Sequence, residues 1–350
     1  MKSFQGSRLA GLSLPQTTVW MLSSIAESKG RQELYTRQNP EVLTALVQSA
    51  LVQSAESSNR IEGVTVAADR LQPLVLGRTK PKDRSEEEVH GYRQALNLIH
   101  KDAARLSITP DLIKKLHALC QAGAGDAGQW KRLDNDIVEM MPGQAPRVRF
   151  KALAAAQTPE AMERLCAEYQ SALSDRAASH VVATAALIID FLCIHPFRDG
   201  NGRVSRLLTL LALYQHGYEV GRYVSLERLV EESKEEYYER LYQSSQGWHE
   251  GKHDLLPFLN YFAGIVRRAY VQFEERAGSM RTARGSKTAL IETAIASFPG
   301  SFTLRELIEA CPGVSTELIR KVMKTKSKAG ELEARGRGRG ALWIAVERKK

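Results

Sequence analysis

Cysteine is scarce in this chain: four in 350 residues, at positions 120, 166, 193 and 311. They lie far apart, and three sit in apolar helical contexts. That excludes a disulfide framework and a cysteine-based zinc site. Long apolar runs are missing too. The longest, Val181 to Ile194, contains Thr184 and Asp190 and is shorter than the ~20 residues of a membrane-spanning helix. It reads as a buried helix. Lys2 and Arg8 are followed by Pro15, Gln16, Thr17 and Thr18 before any signal-peptide apolar core can form. No membrane partner is expected, and a reducing cytoplasm fits these absences.

Acidic residues are in deficit, 40 Asp+Glu against 49 Lys+Arg, for a net charge of +9. Residues 285–350 hold 13 of the basic and 7 of the acidic residues, so +6 of the imbalance sits in the last stretch. A nearly neutral body therefore carries a small basic module. The length also exceeds what one core supports, roughly 250–300 residues. We expect an N-terminal helical region over 1–95, a core over 96–273, a polar linker over 274–286 (EERAGSMRTARGS) and a basic module over 287–350.

Apolar spacing is helical almost throughout, as in Leu43, Leu46, Val47, Leu51 and in Leu112, Ile113, Leu116, Leu119. The body is expected to be mostly α, a helical bundle. Residues 46–55 repeat LVQSA twice, a local duplication inside one helix. Asp134–Phe150 departs from the helical pattern, with alternating apolar residues on each side of Pro142-Gly143, and predicts a hairpin or flap. The tail predicts helices over 288–298, 303–310 and 316–327 and strands over 332–335 and 341–346, joined by GRGRG. That is the order of a winged helix-turn-helix. Its third helix (Arg320, Lys321, Lys324, Lys326, Lys328) and the wing arginines Arg335, Arg337 and Arg339 would face the phosphates of DNA, or else a protein partner.

Residues 195–206 read HPFRDGNGRVSR, between the buried helix and the apolar run that starts at Leu207. A glycine-flanked loop that opens a helix presents backbone N–H groups and a positive helix end to an anion. Gly200 and Gly202 allow close approach to phosphate, and Asn201 tolerates a tight turn. Arg203 and Arg206, three apart, share a helix face and could fork onto phosphate oxygens. Asp199 suits Mg²⁺ held jointly with a polyphosphate. His195 could take a proton from a hydroxyl nucleophile. The pattern is neither GxGxxG, since position 205 is Ser, nor GxxxxGK[ST]. It points to phosphoryl or nucleotidyl transfer.

HPFRDGNGR with Arg206 resembles the HPFx[D/E]GNGRxxR signature of the Fic domain family at every defined position. The resemblance implies a Fic-type helical bundle that moves AMP from ATP to a Ser, Thr or Tyr hydroxyl of a target protein, and of the chain itself. It implies His195 as general base, Asp199 on Mg²⁺, and the Gly200-Asn201-Gly202 turn on the α- and β-phosphates. Arg203 would meet the β-phosphate and Arg206 the γ-phosphate. Arg203, where kinase-like relatives carry Lys, favours nucleotidyl transfer. Ser58-Asn59-Arg60-Ile61-Glu62-Gly63 is similar to the family's [S/T]xxxE[G/N] inhibitory motif, with Glu62 paired to Arg206. Ser58 and Glu62, four apart, share a helix face, and Gly63 is a natural stop. Residues 128–132 and the 134–150 flap resemble the hairpin that receives the target chain as an added strand. Tyr237, Tyr238 and Leu241 resemble the adenosine-side helix, with Tyr238 the candidate for the nucleotide. A helix that regulates its own site is also compatible with a homodimer.

Two rivals differ in class. A DNA-binding regulator would act through the tail, with the body as a ligand sensor. A zinc peptidase would use His249-Glu250-Gly251-Lys252-His253, an HExxH pattern, with Glu274 or Glu275 as third ligand. Gly247, Gly251, Asp254 and Pro257 instead predict a loop there.

Overall fold

In the computed structural model, residues 1–36, 40–139, 147–279, 286–298, 300–311, 314–336 and 341–346 are described. The chain is mostly helical. After an N-terminal segment of turns come α1 (Gln16–Thr36), α2 (Pro40–Ile61), α3 (Ala68–Val75), α4 (Arg84–Asp102) and α5 (Pro110–Cys120). A hairpin of β1 (Asp136–Glu139) and β2 (Arg147–Lys151) follows, then α6 (Thr158–Ser174), α7 (His180–Ile194) and α8 (Asn201–Gln215). The body closes with α9 (Leu226–Glu231), α10 (Lys234–Ser245) and α11 (Leu256–Ser279). The tail holds α12 (Ser286–Ser297), β3 (Phe302–Thr303), α13 (Leu304–Ala310), α14 (Thr316–Lys328), β4 (Leu332–Arg335) and β5 (Leu342–Ala345).

The centre is the apolar pair α7 and α8. From Val181 to Phe191 every side chain of α7 is buried, and α8 buries Leu207, Leu208, Leu210 and Leu211. A helix apolar on all sides must be surrounded, and α7 packs against α6, α8, α10 and α11 while α5 and α4 cover α8. Local signals set the ends. Ser179 caps α7 by accepting from the Val182 N–H, and Thr109 followed by Pro110 starts α5.

Polar groups inside this core are matched to one another. Asp190, fully buried in α7, accepts from the Trp248 indole (2.6 Å), the Ser3 hydroxyl (2.8 Å) and the Ser3 N–H (3.0 Å). The N-terminal segment is thereby drawn onto the body. Likewise α2 is tied down by Ser54, which donates to Glu227 (2.7 Å), a carboxylate that also accepts from Tyr92 (3.0 Å).

Three expectations change in detail. β1 and β2 pair antiparallel with a register shift between Ile137 and Val138, as the flap reading requires, while its tip, residues 140–146, lies outside the described residues. The expected linker is shorter, because residues 274–279 continue α11 and only 280–285 remain, outside the described residues. In the tail, helices and strands fall where the spacing predicts them, with one added strand. β3 pairs with β5, giving the antiparallel order β3-β5-β4. Arg337 and Arg339 lie outside the described residues. The tail packs on the body through α12 against α2 and an Arg78–Glu309 ion pair at 2.6 Å.

Asp190→Ala leaves the Trp248 indole and the Ser3 N–H buried without an acceptor, at about 1–3 kcal/mol each. Urea denaturation should show a loss of about 3 kcal/mol; an unchanged midpoint would mean that Asp190 does not anchor the N-terminal segment.

Candidate active site

The chain turns sharply between α7 and α8, and the turn is built by backbone geometry. His195 ends α7 in the left-handed region (φ 50°, ψ 62°). Among the described residues only Arg176 and His195 are non-glycine residues with positive φ. That conformation costs of order 1–3 kcal/mol and marks a place over-determined by its surroundings. Gly200 precedes α8 at φ 80°, which an L side chain rarely adopts. Between them Asn201 folds back on Phe197, accepting from its N–H (3.0 Å) and donating to its carbonyl (2.8 Å).

Neighbouring elements brace this loop. The buried Lys131 ammonium donates to the Ile194 carbonyl (3.0 Å) and to Asn135 (2.8 Å), and Asn135 donates to the Phe197 carbonyl (3.0 Å). His117 stacks on Phe197, ring centroids 3.7 Å apart. Its Nδ1 accepts from the Gly128 N–H (2.9 Å), so Nε2–H donates to the Asp199 carbonyl (3.0 Å). Burial holds His117 neutral, its pKa down to about 4.

His195 itself is half-buried at the edge of a cavity of about 390 Å³. Burial first, then the Lys131 charge, lowers its pKa to about 4. Its Nδ1 faces the Leu192 carbonyl at 3.3 Å, which assigns the proton to Nδ1 and leaves Nε2 as an acceptor. A neutral imidazole with a free ring nitrogen is a proton acceptor across the physiological range.

The cavity is lined by Leu192 and Cys193 of α7, Gly202 and Arg206 of α8, Tyr238, Leu241 and Tyr242 of α10, and Ile137, Arg149 and Phe150 of the hairpin, with Glu62. Arg206 is its charged floor. The Nε donates to the Ser58 hydroxyl (2.8 Å), and Nη2 donates to the Ser58 carbonyl (2.8 Å) and to Glu62 (2.7 Å). Burial opposes its charge, but Glu62, Tyr237 and Tyr92 outweigh burial and raise its pKa. A Cβ built on Gly202 would collide with the Glu62 carboxylate. Glu62 therefore rests where an anion approaching the start of α8 would rest.

The structure separates the other expected site residues. Tyr237 and Tyr238 both line the cavity, Tyr237 from a buried position against Tyr261 and Phe258. Asp199 stands at the loop's outer edge with its side chain 62% exposed and one oxygen accepting from the Gly200 N–H (2.6 Å). Burial of that oxygen pulls its pKa up, but the Gly200 bond and Arg203 prevail and hold it below the usual value. Arg203 does not share a ligand with Arg206. It is 1% exposed, ion-paired to Glu88 of α4, and lies within 3.4 Å of Asn59 and the Cys120 carbonyl. The reason is electrostatic. Each buried guanidinium requires its own counter-charge, and α4 supplies one to Arg203 while Glu62, in the turn just past α2, supplies the other to Arg206. Arg203 is thus occupied by Glu88, and Arg206 is the guanidinium of this helix that lines the cavity.

The HExxH pattern dissolves in the same way. Its residues lie outside any helix, His253 meets Ser3 (2.9 Å) and His249 meets the Lys151 carbonyl (2.8 Å), so the rings serve different partners. Among the described residues no group of three His, Cys, Asp or Glu side chains could hold a metal ion, and no helix is long and apolar enough to cross a membrane. Spacing alone did not reveal Glu88, His117, Lys131 or Asn135. Glu88 sits in an acidic run that looks like a solvated helix start.

Residues 107–213 match the model of the Fic/DOC family. The chain is 26% identical over 234 residues to a protein adenylyltransferase Fic of Nematostella vectensis, covering 63% of this chain and 48% of that one. It is 27% identical over 210 residues to protein adenylyltransferase fic-1 of Caenorhabditis briggsae, covering 58% and 36%. The chain thus spans less than half the length of these relatives. Among solved structures, a Fic family protein from Desulfovibrio desulfuricans G20 superposes with a TM-score of 0.60 at 19% identity, over 97% of this chain and 98% of that one, which shows a shared fold.

Replacing Lys131 by Met removes the positive charge beside His195 while leaving the ring buried. An NMR titration should find the His195 pKa shifted upward from about 4; no shift would remove Lys131 as a cause.

Proposed function

For a chain that carries a Fic/DOC domain over residues 107–213, we propose protein adenylyl transfer: AMP moves from ATP to a hydroxyl side chain of a target protein, releasing pyrophosphate. The observation that carries the reading is a neutral imidazole, His195, that shares one cavity with the first turn of α8 and with Arg206, whose Nη2 donates to the Glu62 carboxylate.

The steps follow from the residues. The first N–H groups of α8 have no intrahelical acceptor, and together with the helix dipole they favour a polyphosphate laid over Gly200–Gly202. Arg206 takes the terminal phosphate when Glu62 leaves. The aromatic wall at Tyr238 and Tyr242 accommodates a flat base. A target segment adds to the β1–β2 edge and brings its hydroxyl to His195. Nε2 takes the hydroxyl proton as the oxygen bonds to the α-phosphorus, and the bond from that phosphorus to the bridging oxygen breaks, so the electron pair leaves with pyrophosphate. Asp199 fits Mg²⁺, since a lone exposed carboxylate suits a cation shared with phosphates and water rather than a protein cage. Bound there, the ion would neutralise charge on the leaving pyrophosphate.

Glu62 restrains this reaction. A hydrogen bond to a charged group contributes about 1.5–3 kcal/mol, so Glu62→Gly should raise self-modification by roughly ten- to a hundredfold. Transfer of label from α-labelled ATP measures it, and unchanged or lower transfer would mean that Glu62 does not inhibit. In that background His195→Ala should abolish transfer. The pH profile supplies an independent check. Protonation of Nε2 removes the acceptor, so with a pKa near 4 the rate should hold below pH 6.5 and fall only as pH approaches 4. An acid limb near 6.5 would contradict the buried, neutral imidazole.

A further inference from the structure

The tail is not used by the transfer chemistry, yet one of its helices presents a row of exposed cations. α14 runs Thr316–Lys328, with Ile319, Val322 and Met323 buried. At about 100° per residue, Arg320, Lys324, Lys328 and Lys321 fall within an arc of about 100°, all four exposed. Lys326 lies on the opposite side and is spent on Glu292 (3.3 Å) and Glu331 (3.0 Å). Among the described residues none of the four exposed cations has a carboxylate within ion-pair distance. Most exposed arginines of the body do, as Arg31, Arg60, Arg164, Arg228, Arg240 and Arg268 illustrate. Of the module's acids, Glu306 caps α13 and Glu309 pairs with Arg305 and Arg78, while Glu317, exposed in the first turn of α14, is the single carboxylate of that helix and sits at the N-terminal end of the same arc.

The surroundings give this stripe a shape. α14 follows α13 after five residues, 311–315, of which 312 and 313 lie outside the described residues, and the strands β4 and β5 follow α14 directly. Between α14 and the hairpin lies a groove of about 580 Å³, floored by Met323, Trp343 and Ala334 and rimmed by Arg320, Lys324 and Lys328. From Arg320 to Lys328 the helix rises about 12 Å, and its diameter with side chains, about 10–12 Å, matches the width of a B-form major groove.

We infer that the C-terminal module is a docking surface for duplex DNA, with α14 entering the major groove and the groove beside it following the phosphate backbone. Duplex DNA is favoured over an acidic protein by the regular helical stripe, by its unpaired cations and by the adjoining hairpin, a helix-turn-helix arrangement with a second backbone contact.

The test needs no ATP and stands apart from the transferase reading. Fluorescence anisotropy of the full chain with a labelled duplex of about 20 base pairs, two helical turns, is followed between about 50 and 200 mM salt. Binding should weaken with a log–log slope of about −3 to −4, one phosphate per cation. The combined variant Arg320→Ala, Lys324→Ala, Lys328→Ala should lose at least about tenfold in affinity and flatten the slope by about 2–3. These side chains are exposed, so circular dichroism should show the fold retained, and Lys115→Ala, an exposed lysine on α5, should change neither quantity. Absence of duplex binding, a salt-independent affinity, or full affinity in the triple variant would overturn the inference. Tighter binding of a poly-glutamate peptide or of single-stranded RNA than of the duplex would overturn it too, and would assign the surface to that partner.

Discussion

A guanidinium almost wholly withdrawn from water organises the site. Arg206 is 6% exposed, and a charge so placed is tolerated only with a counter-charge and hydrogen bonds around it. That demand brings the end of α2 over α8, because Ser58 meets Arg206 with both its hydroxyl and its carbonyl while Glu62 meets it with a carboxylate. The rest of α2 is arranged to satisfy this demand. Ser54 and Tyr92 converge on Glu227, and Lys234 donates to the Ile61 carbonyl at 2.8 Å. Glu62 differs from Ser58 in one respect: it lies in the turn beyond Ile61, just before Gly63 at φ 82°. The helix can therefore keep its grip through Ser58 while the carboxylate gives way to another anion.

The same logic explains how labour is divided along the loop. Side chains that resemble phosphate ligands in sequence are largely occupied in making the loop rigid. Asn201 closes on Phe197, Arg203 closes on Glu88, and the Asp199 backbone is held by His117. What remains directed at the cavity is Gly202, the Arg206 guanidinium and the His195 ring. Rigidity of this kind fixes donors before a ligand arrives, so little reorganisation is required when charge develops.

How much of this was legible in the sequence depends on range. The helices of the body, the flap strands and the tail elements follow from periodicity and caps, because those signals act within a few residues. Gly200, His195 and the Ser58–Glu62 spacing could be read for the same reason. Pairing between distant elements could not. Arg203 and Arg206 share a face in sequence, yet their partners come from α4 and α2, chosen by packing. Lys131 and Asn135 looked like part of a flap, and only the fold brings them against Ile194 and Phe197. The HExxH pattern failed for the complementary reason, since glycines at 247 and 251, each with positive φ, send its two imidazoles to separate partners.

The tail belongs to this mechanical picture. One face of α14 is fastened to α12 through Lys326 and Glu292. α12 packs on α2, whose far end grips Arg206. The opposite face of α14 carries the exposed cations. A ligand on those cations and a nucleotide at Arg206 would thus address two ends of one contact chain, α14 to α12 to α2. Contact alone transmits nothing; coupling arises only if a ligand favours one of two arrangements of that chain. Ser58 opposes such a shift, since moving α2 bodily would strip two acceptors from a buried guanidinium. Glu62, beyond the helix end, can move at the cost of one. The structure therefore separates the two levers: an anion at Arg206 would compete locally with Glu62, whereas anything pulling on α2 from the tail must also overcome Ser58, Ser54 and Glu227.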